Sequence, residues 1–483
     1  MKKIKYVLIG FLGMIAFSCQ DAIDIVQPGE NDLPTAFQNV NDLQQGLNGL
    51  YGFLRIETQI NHASIWTDEV RIGVASGGQG LTNDNEFGFA LNPNSGYANS
   101  IWQSKYTVIN VANRIIEASK VITVKPGEED AVKYILAQAH IIRAWGHFDL
   151  LSYYSEDITN PNALGVILMD RVPTLSETSS RSTNKEVFDL IESDLEKVND
   201  LDAGYFNYNN TDNTYISPNF VTALRARMYA YKGEYDKALP YAQELIDQVG
   251  LTTRANYSKI FTDSPIAGVN EVIFKLLRVS GDSTIGSIWN SQNATVSGAP
   301  IYEVSTDLFN LLNTSSDVRF NVVVSPTGAP NYTVRPVAKY TSKLQIPLLS
   351  DLKVFRTSKM VFIKAEALAE ADDLEGVAQT LQLINAKRFS SPNPVITTPA
   401  TKEAAFAEIL KQRRIELCFE GHRYQDFKRL GAKAGINLER NPADCAVNNA
   451  CFLSNTDYRL VFPIPQIENT ANVKIRSQQN PGY

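Results

Sequence analysis

Two segments of this 483-residue chain can be aligned with each other, and both carry small residues at helical spacing. Residues 225–235 match residues 364–374, so that Ala226 falls opposite Ala365. Small side chains in register let neighbouring helices approach closely, and each segment is followed by a tight turn and a second helical pattern. Repeats of this kind stack helix pairs into a scaffold. The sequence therefore predicts an all-α, or mainly α, fold.

Helical periodicity extends well beyond these two segments. The other predicted helices cover residues 35–58, 99–121, 128–154, 185–201, 217–232 and 235–249. Ser217 followed by Pro218 is a favourable helix start, because serine caps the first turn and proline fits its first position. The helix pairs resemble degenerate tetratricopeptide repeats, which present partners or loops but specify no ligand.

Two long irregular regions interrupt the helices, at residues 59–98 and 252–345. Loops of this length in a compact protein are usually functional or disordered. Both regions place aromatic rings among amides and hydroxyls, and a sugar offers an apolar ring face with a rim of hydroxyls. We therefore expect a ligand-binding face here. By residue type and loop location, the candidate ligand contacts are Trp66, Arg71, Phe89, Trp289 and Tyr302.

Residues 1–19 have the three parts of a secretory signal. Lysines lie near the start, and residues 6–17 form an apolar stretch that is too short to span a bilayer as a permanent helix. Small residues then surround Cys19. The pattern resembles a bacterial lipobox, which implies a signal peptide at residues 1–18 and a diacylglycerol on the Cys19 sulfur. An uncleaved anchor or plain secretion is the alternative.

Residues 19–34 are polar and rich in turn-forming residues, so we expect a flexible tether behind the lipidated cysteine. Asp21 and Asp24 resemble the acidic surface-export signals of Bacteroidetes lipoproteins. No other hydrophobic run approaches membrane-spanning length. The predicted location is the outer membrane, with the protein held by its lipid and facing the cell exterior.

The remaining cysteines lie in an exported chain, where disulfides can form. Cys445 and Cys451 flank a short polar loop and are expected to close it as a disulfide, whereas Cys418 lies in a helical pattern and is expected to be a buried thiol. None of the cysteine spacings resembles a zinc site. The formal net charge of −7 and the lack of a basic stripe argue against nucleic acid as a partner.

Catalytic signatures are weak. A glycosidase needs two placed carboxylates, and the candidates Asp68–Glu69 and Asp84 with Glu86 are read as ordinary solvated loop acids. His140 and His147 are seven positions apart, too far for the common metal-binding pair, and are expected in the core. We therefore predict no enzyme, no catalytic residue and no catalytic metal.

Several separated motifs occur in a familiar order. They are residues 102–113, residues 365–367 leading to 385–388, residues 413–431, and residues 462–466 with 479–483. Together with the lipobox they resemble the SusD/RagB family of nutrient-binding outer-membrane lipoproteins over essentially the whole chain. Within residues 413–431 we expect a charged helix on which Glu420 pairs with Arg423 and Asp426 with Arg429. The closing Pro-rich segment is expected to form an extended tail over the surface.

This resemblance implies a helical scaffold that supports a loop-rich ligand face, with residues 35–250 and 251–483 forming one compact fold. It implies a protein that caps a SusC-type TonB-dependent transporter, with its repeat side toward the transporter, and delivers oligosaccharides to it. Family ligand sites differ between members, so no ligand residue is carried over by motif. The resemblance implies no cofactor and leaves a structural calcium open.

Three alternatives are kept beside the oligosaccharide cap. A cap for peptides or another nutrient would be favoured if the loop rings prove buried and the exposed cleft charged. A hydrolase would be revealed by product formation, and a pure scaffold by the lack of any ligand cleft.

Overall fold

Helices dominate the computed structural model, which describes residues 36–73, 86–174, 177–202, 213–289, 300–328 and 331–483. About 52% of the described residues are helical and their strands are few and short, which confirms the mainly α-helical fold class. The predicted signal peptide 1–18, Cys19 and the tether 19–34 lie outside the described residues. No helix within the described ranges is long and apolar enough to cross a membrane.

The first half of the described chain contains mainly helices. They are α1 (Val40–Gly52), α2 (Glu57–Ile65), α3 (Gly96–Ala118), α4 (Glu129–Tyr154), α5 (Asn184–Leu195), α6 (Pro218–Tyr231), α7 (Tyr235–Val249) and α8 (Tyr257–Phe261). The Ser217 side chain accepts a hydrogen bond from the Phe220 amide and Pro218 occupies the first turn of α6, which confirms the predicted helix start. The helix predicted over 35–58 is instead split, because the chain leaves helical geometry after Gly52 and α2 begins at Glu57.

The second half mixes shorter helices with the long scaffold helices. They are α9 (Thr306–Leu312), α10 (Val318–Val323), α11 (Thr357–Glu370), α12 (Leu374–Arg388), α13 (Lys402–Leu417), α14 (Arg423–Leu430), α15 (Pro442–Cys445) and α16 (Gln466–Ala471). A 3₁₀ helix at Glu196–Asp202 extends α5.

The strands form antiparallel pairs that tie together distant parts of the chain. β1 (Val70–Ile72) pairs with β3 (Tyr302–Val304), β2 (Val272–Leu276) with β6 (Leu352–Arg356), β4 (Ser342–Lys343) with β5 (Ile346–Pro347), and β7 (Leu438–Glu439) with β8 (Phe452–Leu453). In the first pair Arg71 lies opposite Glu303 and Ile72 opposite Tyr302. This pair joins the two irregular regions.

The aligned segments fold into the same helix–turn–helix unit. Gly233 ends the α6 turn with φ 76°, and Asp372 at the matching position after α11 has φ 59°. The Glu234 amide donates to the Tyr229 carbonyl at 2.9 Å, and the equivalent bond in the second turn is also 2.9 Å. The two units pack on each other through α7 and α11. The repeat is thus present in three dimensions, while its kinship to tetratricopeptide repeats stays a prediction.

One large hydrophobic cluster contains residues from Val40 to Ile475, so both halves of the chain contribute to it. The segment after α14 is part of this core. Phe462 and Ile464 are fully buried, and the Asn480 side chain donates to the Tyr154 and Phe462 carbonyls at 2.8 and 2.6 Å. The expectation of a tail over the surface is therefore wrong for residues 462–465, whose apolar side chains pack in the core, whereas Pro481, Gly482 and Tyr483 remain exposed or half-buried.

The helix predicted through residues 413–431 is broken into two. α13 ends at Leu417, and Phe419 and Gly421 take positive φ values of 62° and 82° before α14 begins. The predicted Glu420–Arg423 pair is wrong for this reason, whereas Asp426 and Arg429 do pair, at 3.2 Å.

Glu420 instead joins a buried ionic network. It bonds to Lys339 at 2.7 Å and to Arg356 at 2.6 Å, while Arg388 bonds to Glu416 at 3.0 Å. Burial alone would raise the pKa of Glu416, but Arg388 and Arg356 outweigh it and lower the pKa to about 2. The positive and negative side chains of this network neutralise one another inside the core. The motif at residues 413–431 therefore stabilises the fold.

Candidate functional site

The two irregular regions meet at the β1–β3 pair. The Arg71 guanidinium bonds to the Glu303 carboxylate at 2.6 Å across this pair. The amides of Ile301 and Tyr302 donate to the Trp289 carbonyl at 2.8 and 3.1 Å. Candidate residues from two distant regions are thereby brought together. We call the region formed by β1, β3, Thr306–Leu312, Val318–Val323, residues 331–335 and Pro442–Cys445 the loop face.

Four of the five candidate ligand contacts are core residues. Trp66, Trp289, Phe89 and Tyr302 are 0%, 1%, 2% and 6% exposed. The Trp66 ring packs edge-on against Phe89 at 5.3 Å between ring centres, and the Trp289 ring stacks on Tyr340 at 5.7 Å. The expectation that these rings face a ligand does not hold in this structure, because the loops fold back and bury their largest apolar side chains.

Arg71 is the candidate that stays near the surface. Its guanidinium also donates to the Thr333 carbonyl at 2.7 Å. The Arg335 amide donates to the same Glu303 carboxylate at 3.1 Å, so two arginines flank one carboxylate. Burial and the nearby Arg71 lower the pKa of Arg335 below its usual value. Two guanidiniums therefore lie at the loop face, and the carboxylates of Glu303 and Asp444 oppose their charge.

A cluster of three rings lies beside these arginines. Tyr332 is half-buried and packs against Phe309 and Phe320 at 5.4 and 5.5 Å between ring centres. The Arg335 guanidinium lies 4.3 Å from the centre of the Phe309 ring. Tyr332 has φ 47°, a left-handed backbone that points to a tightly held turn. Sequence reasoning did not select Tyr332 or Phe320, since only the tertiary fold brings them together.

A disulfide supports the loop face from one side. Cys445 and Cys451 are bonded, with 5.2 Å between their Cα atoms. The neighbouring Asp444 accepts from the amide and hydroxyl of Thr306, both at 2.7 Å. Cys418 is buried, and its burial raises the thiol pKa to about 12.

The candidate acid pair is enclosed by the protein. Arg423 bonds to Asp68 at 2.7 Å. Burial would raise the Asp68 pKa, but Arg414 and Arg423 lower it to about 2. Burial raises the pKa of Glu69 to about 8, and its carboxyl accepts from the Phe419 amide at 3.0 Å. Neither acid can reach a substrate in this structure. Asp84 lies outside the described residues.

The histidines also have structural partners. His140 bonds to Asp194 at 2.7 Å, and His147 lies between the Arg143 carbonyl and the Met169 amide at 3.0 and 3.2 Å. Burial lowers the pKa of His147 to about 4, so it is neutral at physiological pH. In the part of the chain that the structure describes, no group of histidine, cysteine and acidic residues is arranged to hold a metal ion.

Family models match both ends of the chain. The model described as "SusD family" matches residues 284–483, and the model described as "Starch-binding associating with outer membrane" matches residues 28–207. The chain belongs to the SusD/RagB family. The SusD family is a carbohydrate-binding family, and the description of the second model names association with the outer membrane.

Individual relatives agree with this membership. A SusD-like protein of Formosa agariphila is 24% identical, and the alignment covers 100% of both chains. A solved SusD superfamily protein of Bacteroides thetaiotaomicron has a TM-score of 0.75 at 24% identity, covering 92% of this chain and 100% of the other. A solved laminarin-binding SusD-like protein has a TM-score of 0.67 at 20% identity, covering 92% and 100%. The solved SusD-like structures share the fold of this chain.

Proposed function

We propose that the chain is a cell-surface lipoprotein that binds an oligosaccharide at the loop face and passes it to a SusC-type TonB-dependent transporter. The observation that carries the proposal is the loop face itself, in a family whose matched model is described as starch-binding. The half-buried Tyr332 and Phe320 rings offer an apolar surface, and the adjacent guanidiniums offer hydrogen-bond donors. A laminarin-binding neighbour of the same fold supports a glycan ligand.

The anchor and the partner are parts of the same proposal. Lipidation at Cys19 would hold the protein on the outer membrane, because acyl chains contribute about 0.8 kcal/mol per buried methylene. The helix pairs would face the transporter and leave the loop face to collect ligand. The enclosure of Asp68 and Glu69 supports binding without hydrolysis.

The proposal is tested with the soluble protein beginning at residue 20, titrated calorimetrically with neutral oligosaccharides, acidic oligosaccharides and short peptides. Each mixture is then checked for cleavage products. We expect saturable binding of one sugar class without products. Tyr332→Ala should weaken that binding by roughly fivefold or more, since it removes a stacking surface worth about 1 kcal/mol or more.

Tyr241→Ala is the matched control. Tyr241 is also a half-buried tyrosine, but it lies on α7 and stacks on Tyr229 in the helical scaffold. Its removal should leave sugar affinity unchanged. Equal losses from both variants would mean that the Tyr332 effect is general destabilisation, and full affinity in Tyr332→Ala would remove the loop face from the proposal.

A second function, a cap for peptides, has one observation in its favour. The four rings first considered for sugar stacking are buried, and the loop face presents Arg71 and Arg335. Guanidiniums bind carboxylates well, including those of a peptide. Binding confined to the peptide arm of the same titration would replace the oligosaccharide with a peptide ligand, and new products would indicate a hydrolase.

A further inference from the structure

A cleft lies outside the loop face. It is formed by the surface of α3, the segments 167–174 and 177–179, and α16. Its volume is about 690 Å³, within the range of roughly 300–1,000 Å³ that small-molecule sites occupy. The lining includes Gln103, Tyr106, Thr107, Asn110, Arg171 and Glu468. None of these residues belongs to the loop face.

Two aromatic residues form one side of the cleft. The Trp102 and Tyr106 ring centres are 4.8 Å apart. Both polar tips are fixed, since the Trp102 indole donates to Glu468 at 3.1 Å and the Tyr106 hydroxyl donates to the Ile167 carbonyl at 2.9 Å. Tyr106 is half-buried. Its ring can therefore offer an apolar face that is already held in place.

Polar groups surround this apolar face. Besides Trp102, the Glu468 carboxylate accepts from the Asn472 amide at 3.0 Å, so it is oriented from two sides and keeps acceptor capacity. The side-chain oxygen of Asn110 is shielded from solvent and has no hydrogen-bond partner among the described residues. Gln103 and Thr107 are exposed on the same helix. These groups suit a ligand that both donates and accepts hydrogen bonds.

The charges of the cleft do not favour an anion. Arg171 is paired with Glu177 and, at 3.3 Å, with Asp170. Glu468 adds a negative charge on the opposite wall. Burial and the nearby Glu468 also raise the pKa of Tyr106 well above its usual value, so its hydroxyl stays protonated. A neutral polar ligand matches this balance better than a phosphate or an acidic sugar.

From these contacts we infer that the α3–α16 cleft is a second carbohydrate site, which takes a neutral oligosaccharide with one sugar ring on Tyr106 and its hydroxyls bonded to Glu468, Gln103 and Thr107. This inference rests on the proposed function in one respect, which is that the ligand is a carbohydrate. The site itself is separate from the loop face, so the chain would hold two oligosaccharide segments.

The test is calorimetric titration of the soluble protein with laminarihexaose and, separately, maltohexaose. Thr107→Trp and Asn110→Trp fill the cleft with a large ring. Thr107 is exposed, so its variant should fold normally even if the half-buried Asn110 tolerates the change less well. Gln243→Trp, at a half-buried amide on α7, is the matched control. Circular dichroism checks that each variant is folded.

We expect two sugars bound per wild-type chain, one in Thr107→Trp and Asn110→Trp, and two in Gln243→Trp. Full stoichiometry and affinity in both filled variants would overturn the inference while leaving the loop face intact. Loss of the only binding event in Thr107→Trp, with Tyr332→Ala unaffected, would instead support the cleft and overturn the loop-face assignment. If the folded wild-type protein binds neither laminarihexaose nor maltohexaose, the inference is contradicted.

Discussion

The helical scaffold and the loop face satisfy their backbone polar groups in different ways. In the scaffold, the carbonyls of α6 and α7 bond within their own helices, so the structure is held by residues close in sequence. Behind the loop face, carbonyls of irregular segments are bonded by arginine side chains from far along the chain. Arg440 donates to the carbonyls of Thr67, Trp66 and Ala450 at 2.7, 2.9 and 3.0 Å.

This difference explains how long loops can be buried. A buried carbonyl without a partner costs about 1–3 kcal/mol, and a guanidinium can satisfy several at once. Arg440 also lies 4.0 Å from the Phe87 ring centre and 3.9 Å from that of Phe89. A single buried cation thus replaces the hydrogen bonds that a helix or sheet would otherwise supply. The loop face depends on a few distant residues, whereas the scaffold spreads its stability over many local bonds.

The largest effect that follows from this comparison is expected for Arg440→Met. The change keeps much of the apolar volume but leaves several buried carbonyls without donors, so it should lower the free energy of unfolding by about 3–5 kcal/mol. Urea unfolding measures the loss, and limited proteolysis should show earlier cleavage within residues 59–98.

Arg225→Met is its counterpart on the scaffold. Arg225 lies on α6 with its side chain 14% exposed, and it pairs with Glu196, whose side chain is 68% exposed. An ion pair with one partner in solvent contributes about 0–1 kcal/mol, and methionine keeps much of the apolar volume of arginine, so the loss should stay below about 1 kcal/mol. Similar losses for both arginines would refute the claimed difference between the two regions.

A smaller effect is expected from Glu69→Gln. Burial raises the folded-state pKa of Glu69 from 4.5 to about 8, so the folded state holds a proton that the unfolded state releases. Its contribution is complete below the unfolded pKa and is lost as the pH rises through the folded pKa. Glutamine can still accept from the Phe419 amide, and it should raise the free energy of unfolding at pH 8 by about 1–3 kcal/mol relative to wild type.

Urea midpoints at pH 5 and pH 8 measure this change. Glu186→Gln on the scaffold is the opposite case, because hydrogen bonds from Thr183 lower the pKa of Glu186. The contribution of Glu186 to the free energy of unfolding is present above its unfolded pKa of 4.5 and is lost as the pH falls below that value. Glu186→Gln should therefore leave the slope between pH 5 and pH 8 nearly unchanged. An unchanged pH slope in Glu69→Gln would show that Glu69 does not hold its proton.

The smallest effect concerns the two equivalent turns of the scaffold. Gly233→Ala should lower the free energy of unfolding by about 1 kcal/mol, because the positive φ is unfavourable for alanine while the nearest atom is still 3.9 Å away. Asp372→Gly at the matching position should raise it by a few tenths of a kcal/mol to about 1 kcal/mol. Thermal unfolding measures the stability of both variants. If the two substitutions change the free energy of unfolding in the same direction, the two turns are not equivalent.

The scaffold is the part that the sequence predicts well. The pattern over 235–249 matches α7 at both ends, and the aligned repeats fold into matching turns, since local periodicity and caps determine both. The helix α2 was not predicted as a separate helix. Most of its residues are buried, including the polar His62 and Ser64, so its sequence lacks the polar face that marks an amphipathic helix.

The candidate site is predicted much less well. Of the residues selected by type, Arg71 lies partly exposed and its role in ligand binding stays a prediction. Residue type could not distinguish a ring that meets ligand from one that packs the core. Trp66 and Trp289 look suitable in sequence but are buried against Tyr424 and Phe419, which are far away along the chain. Tyr332 and Phe320 meet because residues 323–325 pair with residues 336–338, an irregular pairing that no local sequence pattern indicates.

The bond from Asn480 to the Tyr154 carbonyl makes the packing of an early helix depend on a late segment of the chain. It joins residues 326 positions apart, and Arg181 also binds the Gln478 carbonyl at 2.7 Å. Because a chain is synthesised from its N-terminal end, the packing around α4 cannot close until residues 478–480 have been made. Contacts of such long range form slowly, so α4 stays incompletely packed until then. Completion of the fold therefore waits for this late segment.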